Sequence, residues 1–425
     1  MGADELEEGQ IEARHSPRLP KSGLCQVLSM FRKVFIIIHL RRFFVKRLGI
    51  SVASASPIVA GDARAPTDLK GLLPEQLRAL AIELGGPAYR GDQLFRWIHE
   101  QGVCDFEAMS NLPKAFRAAL REAGAIVGNL RLLERRDSAT GMAAKFLFEA
   151  TAGQIESVLI VDGDRRTACL SSQVGCALDC KFCATGRMGF RRNLGAGEIV
   201  DQLLQLHAAA TQRGERVTNV VMMGMGEPLL NYNEVTRALR IIRHADGPTI
   251  GGRRITVSTA GYLPGIRQLA ADDLNVGLAI SLNATTDEVR ERLMPINRKW
   301  PIAELLTAAR EYFDKKGRRV TFEYVLMDGV TDSDEDAHRL AELTREIPSK
   351  INIIPYNELG DEGQATGMTF RRPPRRRIDE FLRRLRDNTD HTVTLRESRG
   401  GDIGAACGQL YRQQETGRQP ATATA

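Results

Sequence analysis

From Pro66 to about Leu130, apolar residues recur at helical spacing: Leu69, Leu72, Leu73, Leu77, Leu80 and Leu84, then Leu94, Phe95, Trp97 and Ile98. Residues three and four apart share one face of a helix, and Gly85-Gly86, Gly91 and Gly102 punctuate the run. The pattern predicts a small helical module over 61–130. Its Tyr89, Arg90, Phe95, Arg96, Trp97 and His99 suggest a basic, aromatic face suited either to packing or to a nucleic acid. Beyond it the period changes. Ser157–Val161, Thr167–Ser171, Val217–Met223, Arg254–Ser258, Val276–Ser281, Thr321–Leu326 and Ile351–Pro355 read as strands. Helical patterns separate them: Ile199, Leu203, Leu206 and His207 on one face, Val235, Leu239 and Ile242 on another, and Pro301–Tyr312 with proline in its first turn. Residues 131–161 read as a linker and a strand leading into a core over 162–406. Alternating strand and helix predict a parallel α/β fold, either an open doubly wound sheet or a full or partial barrel.

The chain has 425 residues, 43% hydrophobic and 26% charged. These proportions fit two or three globular domains and exclude a disordered, collagen-like or multi-span membrane chain. No internal repeat is visible. Of the net charge of +6, residues 1–60 supply most, with nine Lys/Arg against five Asp/Glu. Bulk charge therefore says little about nucleic acid, and local clusters would have to carry any phosphate contacts. One such cluster, Arg371-Arg-Pro-Pro-Arg-Arg-Arg377, is either a solvated charge run or a polyanion contact. The most apolar stretch, Val34 to Ile38, lies between basic pairs and is far short of the ~20 residues that span a bilayer. Asp4, Glu5, Glu7, Glu8 and Glu12 precede it, which fits neither a secretory nor a transit peptide. Residues 1–60 are expected to be an atypical, disordered extension, with a basic amphipathic surface anchor around Phe31–Arg47 as the alternative. A cytoplasmic protein with no membrane partner is expected.

The cysteines narrow the chemistry. Four of the seven, Cys169, Cys176, Cys180 and Cys183, fall close together, while Cys25, Cys104 and Cys407 stand apart. An odd number in a long chain argues for reduced thiols or a metal centre rather than a disulfide scaffold. Cys176-Ala-Leu-Asp-Cys180-Lys-Phe-Cys183 is a C-x3-C-x2-C triplet. Structural zinc is usually closed by four ligands, and no histidine lies near in sequence. Three thiolates suit an iron–sulfur cluster with one iron left open, although zinc stays an alternative. Polar residues then recur at predicted strand ends: Gly226 and Glu227 in Gly224-Met-Gly-Glu-Pro, Ser258, Ser281-Leu282-Asn283, and Asn357. Each alone reads as a turn or cap, but together they describe the ligand end of a parallel barrel. Cys104 and Cys25 are expected to be small buried apolar residues. Cys407, among glycines and alanines, has room for a bulky substrate beside a nucleophilic or radical-carrying thiol.

Three segments now carry a resemblance: Thr167-Ala-Cys169-Leu-Ser-Ser-Gln-Val-Gly-Cys176-Ala-Leu-Asp-Cys180-Lys-Phe-Cys183, Gly224-Met-Gly-Glu-Pro-Leu, and Arg399-Gly-Gly-Asp-Ile-Gly-Ala-Ala-Cys407-Gly-Gln-Leu. The triplet spacing resembles that of radical S-adenosylmethionine enzymes. The whole, from about Asp68 to Leu410, closely resembles the RlmN family of methyltransferases acting on adenine carbon 2 in 23S rRNA and tRNA. That resemblance implies a partial (β/α) barrel with a small N-terminal helical domain that binds RNA, and a C-terminal segment 407–425 with the catalytic cysteine and a disordered tail. It implies that Cys176, Cys180 and Cys183 hold one 4Fe-4S cluster, and that Gly226, Glu227, Ser258, Ser281, Leu282, Asn283 and Asn357 bind S-adenosyl-L-methionine. Cys407 matches the cysteine that takes a methyl group from a first S-adenosylmethionine. A second is cleaved to a 5′-deoxyadenosyl radical, which takes hydrogen from that S-methyl group so that the carbon can add to adenine. Cys169 matches the thiol that resolves the adduct as a Cys169–Cys407 disulfide, and Glu156 the proton acceptor. A flavodoxin-like one-electron reductant, a disulfide reductant and a monomeric state are implied too. Relatives often carry Ser-Leu-His where this chain has Ser281-Leu-Asn283. The alternatives are a carbon-8 methylating, Cfr-like enzyme with the same cysteines, and a non-catalytic zinc protein that binds RNA.

Overall fold

Leu69, Leu77, Leu94 and Ile98 are fully buried, so the helical spacing of the first module marks its core. Its ends are joined by two short parallel strands, β1 (Thr67–Asp68) and β2 (Ala125–Ile126). Between them run α1 (Pro74–Glu83), α2 (Tyr89–His99) and α3 (Lys114–Glu122). The structure, a computed structural model, describes residues 66–359 and 369–410. The expectations for residues 1–60, for Cys25 and for the tail beyond Leu410 lie outside them. All described residues belong to one compact unit, which starts at Arg64. The basic, aromatic face divides in two. Phe95 and His99, one helical turn apart, are buried with Leu94 and Ile98, and the Phe95 ring lies 4.7 Å from that of His244 in the core. Tyr89, 53% exposed, points away and carries Arg90 over its ring. Cys104 is exposed rather than buried, because the chain has already left α2 for a surface loop. A buried ion pair, Lys70 Nζ to Asp201 Oδ1 at 2.6 Å, docks the module on the core.

The stretch 131–161, expected to be mostly linker, instead forms three antiparallel strands, β3 (Arg131–Asp137), β4 (Ala143–Ala150) and β5 (Gly153–Asp162). The reason is visible in β3. As an edge strand facing water it carries Arg131, Glu134, Arg135 and Arg136, charges that guard an open edge and erase the apolar signature of a strand. β6 (Arg165–Cys169) continues the antiparallel run and also pairs in parallel with β9 (Asn219–Met222). Between these two the chain forms a small pair, β7 (Gln173–Gly175) with β8 (Phe190–Asn193), the short helix α4 (Ala184–Arg187), and α5 (Ala196–Thr211).

Then strand and helix alternate as the pattern requires: α6 (Tyr232–Arg243), β10 (Ile255–Thr259), α7 (Leu263–Ala271), β11 (Gly277–Ser281), α8 (Asp287–Leu293), α9 (Ile302–Lys316), β12 (Val320–Leu326), α10 (Asp334–Thr344), β13 (Ser349–Pro355), α11 (Arg375–Asp387) and β14 (Thr392–Leu395). The ten-stranded sheet has the order β14-β13-β12-β11-β10-β9-β6-β5-β4-β3 and does not close. From β6 to β14 every neighbouring pair is parallel. One face carries Ile255, Val257, Leu278, Ile280, Phe322, Ile351 and Ile353, all essentially buried in the apolar core. Residues between them on β5 to β14 line a single cavity. A flat sheet could not bring such distant strands to one cavity. The sheet therefore curls into a partial barrel, as the resemblance implied. The arginine run at 371–377 opens α11, and Arg372, Arg375, Arg376 and Arg377 each meet a carboxylate. That pairing favours the solvated reading over a free polyanion contact.

Candidate active site

Two cavities meet inside the curl. The larger, ≈ 600 Å³, runs along the inner face of the strands. The smaller, ≈ 170 Å³, sits at their carboxyl ends. Met223, Glu323, Ile354, Arg396 and Cys407 line both.

Cys176, Cys180 and Cys183 all line the smaller cavity. Their loop leaves β7 at Gly175, whose φ of +75° only glycine adopts readily, and a Cβ there would lie 1.8 Å from the Gly189 carbonyl. The Cys176 amide donates to that same carbonyl, and the Cys183 amide donates to Cys180 O in a tight turn. Burial pushes the Cys176 thiol up to about 12, and raises Cys180 and Cys183 as well; Cys183 adds to the rise at the other two, while Cys183 itself feels Cys407. Such thiols ionise only when positive charge joins them, which is what an iron–sulfur centre provides. Among the described residues no group of three or more His, Cys, Asp or Glu side chains could hold one metal ion. A cluster that takes each thiolate on a separate iron asks for that wider spacing, so the donor set fits it better than it fits a single zinc ion.

Opposite the cysteines stands Glu227. The loop after β9 turns through Gly226 at φ +98°, where a Cβ would fall 2.5 Å from Gln173 Cβ. Glu227 accepts from the amides of Leu229 at 3.1 Å and Ala260 at 2.8 Å. Burial nonetheless lifts its carboxyl to about 7, against those bonds and one from Thr259. A buried carboxylate in that state is stabilised by an ammonium group. Ser258 and Ser281, at or next to the ends of β10 and β11, lie on the same wall. Asn283 follows at φ +57°, a left-handed conformation that asparagine tolerates better than most residues. Its Oδ1 accepts from the Val325 amide at 3.0 Å, leaving Nδ2 only the weak acceptor Met294 Sδ at 3.4 Å. Leu282 departs from expectation. Its side chain is fully buried in the core, its amide donates to Glu323 O, and its carbonyl accepts from Arg290 Nε. It positions Ser281 and Asn283 and is not part of the wall. Asn357 is on the wall, but its Nδ2 donates to the carbonyl of Cys407 at 3.1 Å.

The segment around Cys407 is held from several sides. Ala184 N–H donates to Gly408 O at 2.7 Å and Thr185 Oγ1 to Leu410 O at 2.6 Å, which fastens it to the helix beside Cys183. Asp402 accepts from Ser138 Oγ and the Ala139 amide in the β3–β4 turn. Cys169, the last residue of β6, and Cys407 share the larger cavity. Burial pushes the Cys169 thiol up to about 12, with Cys407 adding to the rise and Arg396 opposing it. Arg396 is itself raised, first by Cys407, so the guanidinium lies in the field of both sulfurs. Glu156 is buried and pairs with Lys145 Nζ at 3.0 Å. It is not among the residues of either cavity wall, but Lys145 also donates to Gly404 O at 3.3 Å. Sequence reasoning missed Arg396, Glu323 and Asn352. The one signal was a charged or polar residue inside an otherwise apolar strand, which burial makes costly unless it is used.

The chain is similar to known proteins over most of its length. A Radical SAM superfamily model matches residues 170–341, and a model of the ribosomal RNA large subunit methyltransferase N-terminal domain matches residues 67–126. A dual-specificity RNA methyltransferase RlmN of an Anaeromyxobacter species is 45% identical over 362 residues, covering 83% of this chain and 93% of that protein. The RlmN of Geobacter sulfurreducens is 46% identical over 344 residues, 81% of this chain and 91% of that one. The crystal structure of a radical SAM methyltransferase from Sphaerobacter thermophilus superposes with a TM-score of 0.77 at 44% identity, over 81% of this chain and 99% of that chain.

Proposed function

The chain belongs to the RlmN family of radical S-adenosylmethionine RNA methyltransferases, and from that premise we propose that it methylates carbon 2 of adenine in 23S rRNA and tRNA by way of a methyl group carried on Cys407. One observation carries the reading. Among the described residues, Cys407 is the one cysteine on the walls of both cavities, facing the cluster triplet on one side and Cys169 on the other.

Cys176, Cys180 and Cys183 would hold a 4Fe-4S cluster, with Gly226, Glu227, Ser258, Ser281, Asn283 and Asn357 around S-adenosylmethionine. When bound and reduced, that pair supplies a carbon radical able to take hydrogen from an unactivated C–H bond. The protein's own task is transport and tethering. Carbon 2 of adenine is electron-poor, so a sulfonium methyl group cannot be passed to it directly. A Cys407 thiolate can displace that methyl group, forming a carbon–sulfur bond as the sulfonium bond breaks, and so hold the carbon at the mouth of the larger cavity. Once the carbon is joined to the base, the Cys169 thiolate attacks the Cys407 sulfur; the carbon–sulfur bond breaks as the Cys169–Cys407 disulfide forms, and the released carbon keeps the electron pair and takes up a proton to become the methyl group of the RNA product. Arg396 lies in the field of both sulfurs and opposes the rise that burial imposes on the Cys169 thiol. Glu156 takes the proton from carbon 2; in this structure its carboxylate is held by Lys145 at 3.0 Å, behind the cavity walls. Each cycle uses two S-adenosylmethionine molecules, a flavodoxin-like one-electron donor and a disulfide reductant. The protein acts as a cytoplasmic monomer on this reading; no described helix is long and apolar enough to cross a membrane.

The test is anaerobic reconstitution with iron and sulfide, followed by digestion of treated RNA hairpins and mass spectrometry of the nucleosides. Iron bound to the triplet and 2-methyladenosine are expected. Methyl at carbon 8 would move the protein to the Cfr-like chemistry, and stoichiometric zinc without methylation would leave only RNA binding.

A further inference from the structure

Glu323 stands out among the groups the proposed chemistry leaves unused. It lies in the middle of β12, within Thr321-Phe-Glu-Tyr, and only 5% of it is exposed. Its Oε1 accepts from Asn352 Nδ2 at 3.0 Å, with Arg396 Nη1 at 3.9 Å. Its Oε2 is buried and has no hydrogen-bond partner among the described residues. An orphaned carboxylate oxygen buried inside a sheet costs stability, and such groups are kept where a ligand completes them. Burial accordingly pushes the Glu323 carboxyl up, against Arg396 and Asn352.

The surroundings indicate what completes it. Glu323 pairs in register with Ser281 on β11 and Asn352 on β13, and Asn352 pairs with Thr394 on β14. Asn352 and Thr394 line only the larger cavity, with Thr167, Asn219, Thr256 and Thr321. This interior is polar and open, unlike the aliphatic packing that fills a closed barrel. The smaller cavity already has its own carboxylate for an ammonium group, Glu227. A flat heterocycle bearing an amine and entering the larger cavity would reach the wall that Glu323 shares with Cys169 and Cys407, where a small turn of the carboxylate offers it the unpartnered oxygen.

Building on the proposed RNA methylation, we infer that Glu323, held by Asn352, is a specificity-determining residue that accepts a hydrogen bond from the exocyclic 6-amino group of the target adenine. A base with a carbonyl oxygen at that position would set acceptor against acceptor and be rejected. Base recognition and carbon transfer are thus divided: Glu323 reads the amine while Cys407 delivers to the ring.

The experiment uses the full-length, cluster-loaded enzyme and two RNA hairpins, one with adenosine and one with purine riboside at the target position. Wild type, E323A and E323Q are compared by kcat/KM for each hairpin and by equilibrium binding of the unreduced enzyme. A hydrogen bond to a charged group predicts that wild type favours adenosine by roughly 10- to 100-fold. In E323A that preference falls to within about threefold, chiefly through the adenosine hairpin, and binding shows the same trend. E323Q, isosteric and fit for the same strand, also loses the preference, because holding Asn352 with its carbonyl turns an amide donor toward the amine. An adenosine preference kept by both variants overturns the inference. So does a loss of S-adenosylmethionine affinity as large as the loss of rate, which would assign Glu323 to that ligand. If wild type leaves the adenosine hairpin unmethylated, the proposed function itself is refuted, and the inference with it.

Discussion

The two cavities are built on opposite plans. The smaller one is made of loops at strand ends: the cysteine turn, Gly226-Glu227, Ser258, Ser281 and Asn283. Its carboxylate, Glu227, is held by two backbone amides, so its place is set by a short local segment and by Ala260, the residue that follows β10. The larger one is made of strand interiors, and Glu323, on the wall it shares with the smaller, is held by side chains alone, a hydrogen bond from Asn352 on the adjacent strand and the more distant Arg396. Backbone cradles suit a ligand with fixed charges, because the donors cannot rotate away. Side chains projecting from a curled sheet suit a flat base, because inward positions can be exchanged without moving the frame. Cys407 has to serve both, which explains why its segment is tied to the cysteine loop, to Asn357 and to the β3–β4 turn at once.

The most drastic way to break this division is to remove the shared residue. Cys407→Ala should cut RNA methylation by at least about 10³-fold, since the nucleophile itself is lost; mass spectrometry of digested RNA measures it. A residual rate within tenfold of wild type would show that the carbon crosses between cavities without position 407. Next, Cys169→Ala removes a thiol found only on the larger cavity and should stall the cycle after tethering. A nuclease-sensitive, slower band on a denaturing gel is the expected result, and its absence from active, cluster-loaded protein would deny Cys169 its resolving role. On the smaller side, Gly226→Ala forces a Cβ to within 2.5 Å of Gln173 and strains a φ of +98°. S-adenosylmethionine affinity should fall roughly tenfold or more while RNA affinity changes little, as isothermal titration would record.

The smallest effect marks a titration that belongs to neither cavity. Burial depresses His99 to about 3, with Lys70 and His244 adding to the drop, and both ring nitrogens are buried without hydrogen-bond partners among the described residues. A histidine whose folded value is depressed stays neutral in the fold while the unfolded chain takes up a proton. Its contribution to stability is therefore present above about 6.5 and declines as pH falls below that toward 3. At pH 5 the loss should be about 2 kcal/mol, seen as a lower urea midpoint that His99→Phe largely removes. An unchanged pH profile in that variant would place the acid sensitivity elsewhere, including at the sites.

Much of the smaller cavity could be read from the chain because its residues are contiguous or punctuated. The cysteine triplet, the Gly-Met-Gly-Glu-Pro turn and the polar residues ending β10 and β11 each announce themselves locally. Leu282 is the exception: adjacent to two wall residues in sequence, it points the other way because side chains alternate along an extended chain. The larger cavity was mostly hidden. Glu323 and Asn352 come from two strands and Arg396 from just past the end of a third, and nothing local says that their side chains share an interior. β3 was hidden for the opposite reason, its edge charges having replaced the apolar pattern by which strands are recognised. Glu156, named by resemblance alone, turned out to face Lys145 rather than a cavity wall.

Period and spacing alone thus determined a helical module, an alternating parallel core and a three-thiol loop, since each depends on the stereochemistry of neighbouring residues. Only the tertiary structure decided that the sheet curls, that Cys407 returns from the far end of the chain to stand between two chambers, and that one oxygen of Glu323 is buried there without a hydrogen-bond partner among the described residues. Those facts arise from strand order and register, which join residues far apart in the chain through a geometry that no short segment contains.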